Sequence, residues 1–344
     1  MDRVGSPHTP SAMTGRRTGE PARQDDARGG GASRPRIGVI YNPRSHRNKG
    51  VDLDCSGEGA VAVEQPRTHD EIASALAGFA QAGIDFLIIN GGDGTVRDVL
   101  TMGQGVFGEN WPAIAVLPKG KTNALNVDLG APADWSLADA IAAYANGRRL
   151  KRRPLAVDGP MDGDPMLGFI FGAGAFTLGI SRGQDAHRMG FFDSLAVGAT
   201  SAWGIAQGVI GRDTSPWRRP STMRIAVEPG AQAVPHVVPG EEDTRYIMIA
   251  SPLDRLPLGI KLFGKAQAPI RMAVLDRPRR RIMASLPAIL AGWRPRWLEK
   301  AGLHMVGGEG FTLEAGEPVI LDGEAFAPGT YRVMPGPELT FVTI

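Results

Sequence analysis

The clearest chemical signal in the sequence is the glycine-rich segment 91–95, which reads Gly-Gly-Asp-Gly-Thr. It follows a mostly apolar run at 84–89 and precedes a helical spacing of apolar residues that begins at Val96. Glycines let the backbone approach a polyphosphate closely, and the start of a helix offers free N–H groups to anionic oxygens. The segment therefore predicts a phosphate-binding loop in which Asp93 reaches a magnesium-bound phosphate or an acceptor hydroxyl. The alternative is an ordinary tight turn with Asp93 as the helix cap, which is the usual meaning of Asp-Gly.

Two more polar segments follow predicted strands. Residues 118–123, Pro-Lys-Gly-Lys-Thr-Asn, come after the apolar run 114–117, and residues 42–45, Asn-Pro-Arg-Ser, come after the β-branched run 36–41. Since parallel strands open ligand sites at their carboxyl ends, the three segments are expected to line one cleft. Lys119 and Lys121 would supply cations for phosphate, and the neighbouring threonine and asparagine would supply hydrogen bonds. The sequence contains neither a P-loop ending nor a dinucleotide fingerprint, so a different phosphate-binding arrangement is required.

Strands that alternate with helices up to about residue 150 predict a parallel sheet covered on both faces. In the first helix, Thr68 is the expected N-cap, Glu71 completes a capping box and Gly83 ends the helix. From residue 152 onward, shorter apolar runs separated by Gly and Pro predict an antiparallel sandwich, and segment 191–210 favours one or two helices. We therefore predict a disordered leader at 1–34, an α/β domain at 35–150 and a β-sandwich domain at 151–344.

Composition limits the remaining classes of function. The 38 basic and 36 acidic residues leave a net charge of +2, which gives no overall field to recruit nucleic acid, and no nucleic-acid motif is present. The single cysteine, Cys55, cannot form an internal disulfide. No segment is apolar for long enough to span a bilayer. We expect a reduced, cytoplasmic protein that meets lipid from the aqueous side.

Taken in order, Asn-Pro-x-Ser, Gly-Gly-Asp-Gly-Thr and Pro-x-Gly-x-Thr-Asn resemble the diacylglycerol kinase catalytic family, which includes sphingosine kinases and bacterial lipid kinases. Residues 321–324, Leu-Asp-Gly-Glu, are similar to the late Asp-Gly-Glu motif of that family, and residues 171–175 are similar to its glycine-rich turn. The resemblance covers about residue 36 to the end. It implies an N-terminal Rossmann-like α/β nucleotide-binding domain and a C-terminal antiparallel β-sandwich domain around a cleft. It also implies ATP and Mg²⁺ as cofactors, and transfer of the γ-phosphoryl group to a hydroxyl of a diacylglycerol- or sphingoid-like lipid.

The resemblance also assigns roles to individual residues. It makes Asp93 and Glu324 catalytic, with Asp93 facing the magnesium. The residues that would bind the nucleotide are Asn42, Ser45, Gly91, Gly92, Gly94, Thr95, Lys121, Thr122 and Asn123. Read without the family, residues 321–324 fit equally well as a type I′ hairpin turn.

Three features depart from the family pattern. His46 stands where glycine is common, and Lys121 is inserted into the usual Gly-Thr of the second loop. The aspartate often found early in the second domain has no clean counterpart: Asp158 is the nearest, with Asp162 and Asp164 as rivals. The altered loops leave open a nucleotide- or lipid-binding sensor without turnover, and a soluble-substrate kinase of the NAD-kinase type is the other alternative.

A basic and aromatic segment suits contact with a membrane. Arg279, Arg280 and Arg281 precede an apolar stretch that ends near Trp293, a combination that favours docking on an anionic bilayer at the inner membrane face. The alternative is a solvated basic turn that leads into a core helix. The sequence is also compatible with a homodimer.

Overall fold

Short runs of β-branched and aliphatic residues form the strands of the first sheet. In the computed structural model, which describes residues 35–48, 61–160, 163–175, 177, 218–264 and 267–344, these strands are β1 (Ile37–Tyr41), β2 (Val61–Glu64), β3 (Phe86–Gly91), β4 (Ala113–Pro118), β5 (Arg148–Arg152) and β19 (Leu339–Thr343). The sheet order is β2-β1-β3-β4-β19-β5. All pairs are parallel except β19 with β5, so the end of the chain completes the first sheet. The parallel α/β arrangement predicted for this region is confirmed.

The helices that cover this sheet are α1 (His69–Ala82), α2 (Asp93–Phe107), α3 (Ala124–Leu129) and α4 (Leu137–Asn146). Thr68 is the N-cap of α1, since its Oγ1 accepts the N–H of Glu71 at 3.2 Å, and Gly83 ends the helix with a φ of 61°. The predicted capping box at α1 is wrong: the Glu71 carboxylate accepts the N–H of Arg67 at 2.6 Å, one residue before the cap. A complete capping box occurs at α4, where Ser136 pairs with Asp139. Helix α2 begins at Asp93, three residues earlier than the apolar spacing predicts.

Two antiparallel sheets make up the second half, as predicted. Their strands are β6 (Leu155–Asp158), β7 (Met166–Gly168), β8 (Phe171–Gly174), β9 (Ser221–Glu228), β10 (Gln232–Ala233), β11 (Thr244–Arg245), β12 (Ile247–Ser251), β13 (Ile270–Leu275), β14 (Leu303–Gly308), β15 (Gly310–Ala315), β16 (Val319–Leu321), β17 (Glu324–Phe326) and β18 (Gly329–Pro335). One sheet has the order β10-β9-β15-β18-β6-β7, with β11 also paired to β9, and the other has the order β14-β13-β12-β8-β16-β17. Helices α5 (Arg280–Leu290) and α6 (Trp297–Lys300) follow β13. The predicted leader at 1–34 and the predicted helices at 191–210 lie outside the described residues.

Aromatic side chains fill the space between the two antiparallel sheets. The Phe171 ring lies 5.8 Å from the Phe311 ring and 5.9 Å from the Tyr331 ring, centroid to centroid, and all three side chains are buried. A second core joins the first sheet to the rest of the fold, where the Phe341 ring on β19 lies 6.5 Å from the Phe169 ring. Residues on both sides of position 150 share this core. The predicted domain boundary at 150/151 stays a prediction.

A buried ion pair fixes the end of β13. Asp276 and Arg245 are both buried and pair with each other, and the Asp276 carboxylate also accepts the N–H of Val237 at 3.0 Å. Nε2 of His304 lies 3.0 Å from the same carboxylate. Removing one member of such a pair leaves an uncompensated buried charge. None of the helices in the described part of the chain is long and apolar enough to cross a membrane.

We predict that Asp276→Ala lowers the free energy of unfolding by about 3–5 kcal/mol, because Arg245 is left buried without its counter-charge. The matched control is Asp254→Ala, which removes an exposed aspartate that pairs with Arg152 at 3.5 Å and Arg271 at 3.3 Å. The control should cost less than about 1 kcal/mol, since solvent screens exposed pairs. Urea unfolding measures both values, and equal losses would contradict the importance of the buried pair.

Candidate active site

The three polar loops meet at the carboxyl ends of β1, β3 and β4. Nδ2 of Asn42 donates to Oγ1 of Thr95 at 2.8 Å, and Oγ of Ser45 accepts the N–H of Gly92 at 3.2 Å. The N–H of Arg47 donates to the carbonyl oxygen of Lys119 at 3.1 Å. The loop that follows β1 therefore contacts both the loop after β3 and the loop after β4. The structure brings these predicted residues together, although it does not test their roles.

Asp93 links the start of α2 to the start of α3. Its Oδ2 accepts the N–H of Asn123 at 2.9 Å, and its Oδ1 accepts the N–H of Ala124 at 2.8 Å. Burial raises the pKa of the Asp93 carboxyl, against the opposing effect of these two backbone donors. Asp93 thus caps a helix, as the alternative interpretation required, but the helix is α3 and not its own. Gly92, the N-cap of α2, has no side chain to cap that helix, which leaves the start of α2 available to an anion.

The two glycine loops are in direct backbone contact. A Cβ atom on Gly120 would lie 2.8 Å from the Cα of Gly92, and a Cβ on Gly92 would lie 3.0 Å from the Cα of Gly120. Contacts this short are possible only between glycines. By contrast, a Cβ on Gly94 meets no atom of the described residues within 4 Å. The open space at Gly94 is therefore beside the uncapped start of α2.

We predict that Gly120→Ala lowers the melting temperature, because the added methyl must push the two loops apart at a cost of about 1–3 kcal/mol. Gly94→Ala is the matched control, and it should keep or raise the melting temperature, since alanine favours a helical position by about 0.5–1 kcal/mol. Differential scanning fluorimetry of the two variants makes the comparison. A stable Gly120→Ala variant would show that the loops do not require this close approach.

The remaining residues of the second loop divide by exposure. Lys119 and Asn123 are buried, whereas Lys121 and Thr122 are exposed. Oδ1 of Asn123 accepts the N–H of Gly120 at 2.7 Å, and the residue has a φ of 50°, which asparagine tolerates well. Asn123 therefore shapes the loop, and Lys121 and Thr122 are its exposed side chains.

A fourth segment, the hairpin of β16 and β17, brings a carboxylate that our sequence analysis did not single out. Asp322 and Gly323 form its two-residue turn with φ values of 47° and 87°, as a type I′ turn requires. Oδ1 of Asp322 accepts the N–H of Ile170 at 2.8 Å, and Oδ2 accepts the N–H of Phe169 at 3.0 Å. The hairpin interpretation of 321–324 and the family motif are therefore compatible, because the turn is what orients Asp322.

Asp322 interacts electrostatically with Asp93. Burial, together with the negative charge of Asp93, raises the pKa of Asp322 to about 7, although the N–H groups of Ile170 and Phe169 and the charge of Arg97 lower it. Two carboxylates that share a site resist joint ionisation. Asp322 therefore titrates near pH 7 and the pKa of Asp93 is also raised, so a nearby cation would stabilise the two carboxylates.

We predict that the stability of the protein falls as the pH rises from about 4 to about 7, and that Asp322→Asn removes much of this fall. A carboxyl group whose pKa rises from 3.8 to about 7 on folding binds its proton more tightly in the folded state. A shift of about three pKa units corresponds to at most about 4 kcal/mol. The difference in melting temperature between the variant and the wild type should therefore change across this window by at least roughly 2–4 °C, which is the equivalent of about 1 kcal/mol.

Asp139→Asn is the control for this titration. The Ser136 hydroxyl lowers the pKa of Asp139, so the stability that Asp139 contributes is lost only as the pH falls below its unfolded value of 3.8. The difference between this variant and the wild type should stay constant from pH 4 to pH 7. A constant difference for Asp322→Asn as well would contradict the coupling.

Glu324, the predicted partner of Asp93, is held by a different charge. Its carboxylate pairs with the guanidinium of Arg97, a buried side chain on α2 that also pairs with Asp98 at 2.7 Å. Arg97 also donates to the carbonyl oxygen of Leu321 at 3.4 Å. Arg97 was not among the predicted site residues, yet a signal was present, since it lies four residues after Asp93 and therefore on the same face of α2.

Two cavities extend from the loops along α1 and α2. One of about 290 Å³ is lined by Asn42, Arg44, Thr68 and Thr95, among others. The other, of about 620 Å³, is lined largely by apolar side chains such as Met102, Val106, Met166 and Phe326. Both are lined by His69 and Asp98, and Glu324 lines the larger one. The cavities are therefore adjacent.

Other predicted residues lie at or away from this cleft. Asp158 and Asp164 line the larger cavity, His46 is exposed, and Asp162 lies outside the described residues. Arg279, Arg280 and Arg281 are exposed around the start of α5. The Arg281 guanidinium lies 4.0 Å from the centre of the Trp297 ring, and that ring lies 6.0 Å from the ring of the exposed Trp293. Trp297 thus connects Arg281 to Trp293.

Comparison with known proteins agrees with the motifs. Residues 36–153 match the family model of the diacylglycerol kinase catalytic domain, whereas no curated protein matches the chain. The fold is similar to a solved diacylglycerol kinase from Bacillus anthracis str. Sterne, with a TM-score of 0.60 and 14% identity over 90% of this chain and 97% of that chain. A structure of a candidate diacylglycerol kinase from the same organism gives a TM-score of 0.62 and 13% identity over the same shares. These likenesses show the fold, and the family model matches the part of the chain, residues 36–153, that carries the three polar loops.

Proposed function

We propose that the chain is an ATP- and magnesium-dependent lipid kinase that transfers the γ-phosphoryl group to a hydroxyl of a diacylglycerol- or sphingoid-like lipid. The observation that carries this proposal is the convergence of the three loops, with Asn42 bonded to Thr95 and Asp93 bonded to the amides of Asn123 and Ala124. Phosphoryl transfer needs positioning and charge neutralisation more than covalent chemistry. The uncapped start of α2, with two carboxylates and two lysines nearby, would supply both the positioning and the charge neutralisation.

We assign the phosphates to the start of α2. Its first turn has no side-chain cap, and the open space beside Gly94 allows an anionic oxygen to approach the backbone. The exposed Lys121 and Thr122 lie on the loop that touches Gly92. The ribose and base then extend into the two adjacent cavities, where His69 and Glu324 provide polar contacts. This gives Glu324 a nucleotide-binding role in place of the catalytic one that its motif suggested.

Asp93 and Asp322 would hold the magnesium. Each carboxylate accepts backbone N–H groups and keeps further lone pairs. Burial, together with the negative charge of Asp93, raises the pKa of Asp322 to about 7, and a divalent ion would offset that negative charge. No cluster of three or more metal-ligating side chains exists among the described residues. That is compatible with magnesium, which binds through one or two carboxylates plus phosphate oxygens and water. The ion would neutralise charge on the transferring phosphoryl group.

The lipid hydroxyl would approach the γ-phosphate from the side of Asp322. Because Asp93 and Asp322 are coupled, the pair as a unit accepts the hydroxyl proton. Residues 169–170, which donate to Asp322, hold it in place.

We predict that Asp93→Asn lowers kcat by at least about 100-fold, because it removes charge from the magnesium and proton-acceptor site while keeping the side-chain shape. The assay combines labelled ATP, magnesium, purified protein and a panel of diacylglycerol, a sphingoid base, total lipid extract and NAD. Asp139→Asn, which makes the same change in the first turn of α4, should leave turnover unchanged.

Each result of the assay has a separate meaning. Labelled lipid supports the proposal, and labelled NAD would instead indicate a soluble-substrate kinase. Binding of ATP without any labelled product would indicate a sensor. Full turnover in the Asp93→Asn variant would remove Asp93 from the mechanism.

A further inference from the structure

We propose that the surface around α3 and the turn Pro257–Gly259 is a docking face for an anionic lipid bilayer. The purpose of docking, delivery of a lipid substrate, rests on the proposed lipid-kinase function. The surface itself is described from exposure and charge alone. We call this surface the α3 face and define it by Val127, Arg255, Leu258, Lys261 and Trp293.

Leu258 is the starting observation. Its side chain is 96% exposed, and its backbone has a φ of 59°, in the left-handed region that disfavours leucine. Exposure of the whole side chain forfeits the gain that burial would give. Packing within the protein therefore does not stabilise Leu258 at this position. The adjacent Gly259, with a φ of 67°, keeps Leu258 at the tip of the turn.

Further exposed apolar side chains lie on the segments that contact this turn. Val127, on α3, is 38% exposed, and the N–H of Arg255 bonds to Asp128 of the same helix at 2.8 Å. On the other side, the N–H of Lys261 bonds to the carbonyl oxygen of Leu290 at 2.8 Å, close to Trp293, which is 48% exposed. Three of the four large apolar side chains that are exposed in the described part of the chain therefore belong to adjoining segments, the fourth being Ile344.

The charge of the α3 face is positive. The guanidinium groups of Arg255 and Arg148 lie 3.7 and 3.9 Å from the position that a Cβ on Gly130 would occupy, at the end of α3. The nearby acids already have partners, since Asp128 pairs with Arg152 at 2.6 Å and Asp254 pairs with Arg152 and Arg271. Lys261 adds an exposed cation.

This combination fits a bilayer better than the other partners. Exposed apolar side chains surrounded by cations match the boundary between acyl chains and anionic headgroups, where basic residues are attracted to the membrane surface. A nucleic acid would use the cations but would gain nothing from the leucine. The Trp293, Trp297 and Arg281 stack adds the aromatic and basic pair typical of a membrane interface.

The position of the α3 face suits delivery of a lipid. Helix α3 begins at Ala124, whose N–H bonds to Asp93 at 2.8 Å, so the same six-residue helix belongs to both the candidate active site and the docking face. A bilayer seated on Val127 and Leu258 would therefore lie within about 10 Å of the second loop along the helix axis, at 1.5 Å per residue.

Vesicle co-sedimentation of the full-length protein tests the proposal. On vesicles of phosphatidylglycerol and phosphatidylcholine, Leu258→Asn should weaken binding about tenfold, because asparagine keeps the left-handed backbone and loses the apolar insertion. Ala231→Asn is the matched control, since Ala231 is also exposed with a positive φ of 49° but lies between β9 and β10. The control should bind like the wild type, and equal binding by the two variants would overturn the proposal.

The cations are tested separately. Lys261→Gln should weaken binding to phosphatidylglycerol-containing vesicles by about fivefold and leave binding to pure phosphatidylcholine unchanged. Arg332→Gln, an exposed arginine on β18, is the control. Equal effects of the two substitutions would show that only net charge matters and would overturn the assignment of this face.

Two further measurements separate this proposal from its alternatives. Sedimentation velocity without vesicles should give the same species for wild type and Leu258→Asn, and a dimer lost in the variant would identify the face as a contact between copies. On a dispersed short-chain diacylglycerol, Leu258→Asn should turn over like the wild type. Vesicle binding without any labelled lipid would leave the docking face standing and reject the kinase function.

Discussion

The candidate site depends on the hydrogen bonds by which Asp93, on α2, caps the start of α3. The Asp93 carboxylate, at the first residue of α2, accepts the two leading N–H groups of α3, while α2 itself starts at a glycine without a cap. Every helix start has unsatisfied N–H groups that need an acceptor. Here a protein carboxylate satisfies two N–H groups at the start of α3, whereas the N-cap residue of α2 makes no side-chain cap hydrogen bond. The same contact fixes the distance between the two glycine loops, which is why they can meet at Gly92 and Gly120.

Helix α2 extends this linkage to the second half of the chain. Arg97 binds the β16–β17 hairpin, the hydroxyl of Thr101 accepts the N–H of Leu167 at 2.9 Å, and Gln104 donates to the carbonyl oxygen of Pro165 at 2.6 Å. Asp93, Arg97, Thr101 and Gln104 recur at intervals of four, four and three residues, so they share one face of the helix. A shift of α2 would therefore move Asp93, at the start of the helix, and the Asp322 hairpin together.

Local signals explain how much of this could be predicted. Thr68 and Gly83 correctly predicted the ends of α1, and the apolar runs predicted β1, β3 and β4. These features could be predicted because helix caps and buried strands depend on residues that are neighbours in the sequence. The position of β19 could not be found this way, since Phe341 pairs with Ile114 far along the chain. The start of α2 was predicted too late because Gly94 disfavours a helix locally, whereas contacts with other loops stabilise this first turn. Asp322 was missed as a site residue because a type I′ turn already accounts for Asp-Gly, and only the fold places its carboxyl group near Asp93.

The electrostatics of the cleft favour occupation by a cation. Two partly buried carboxylates near each other destabilise the folded protein at neutral pH, as the pKa of about 7 for Asp322 indicates. A chain selected only for stability would replace one of them with an uncharged residue. Arg97 offsets part of the repulsion but is itself shared with Asp98 and Glu324, so its charge is divided among several acids. The arrangement supports the proposed binding of a divalent ion and a nucleotide, because a cation would balance the charge of the two carboxylates and of the phosphates.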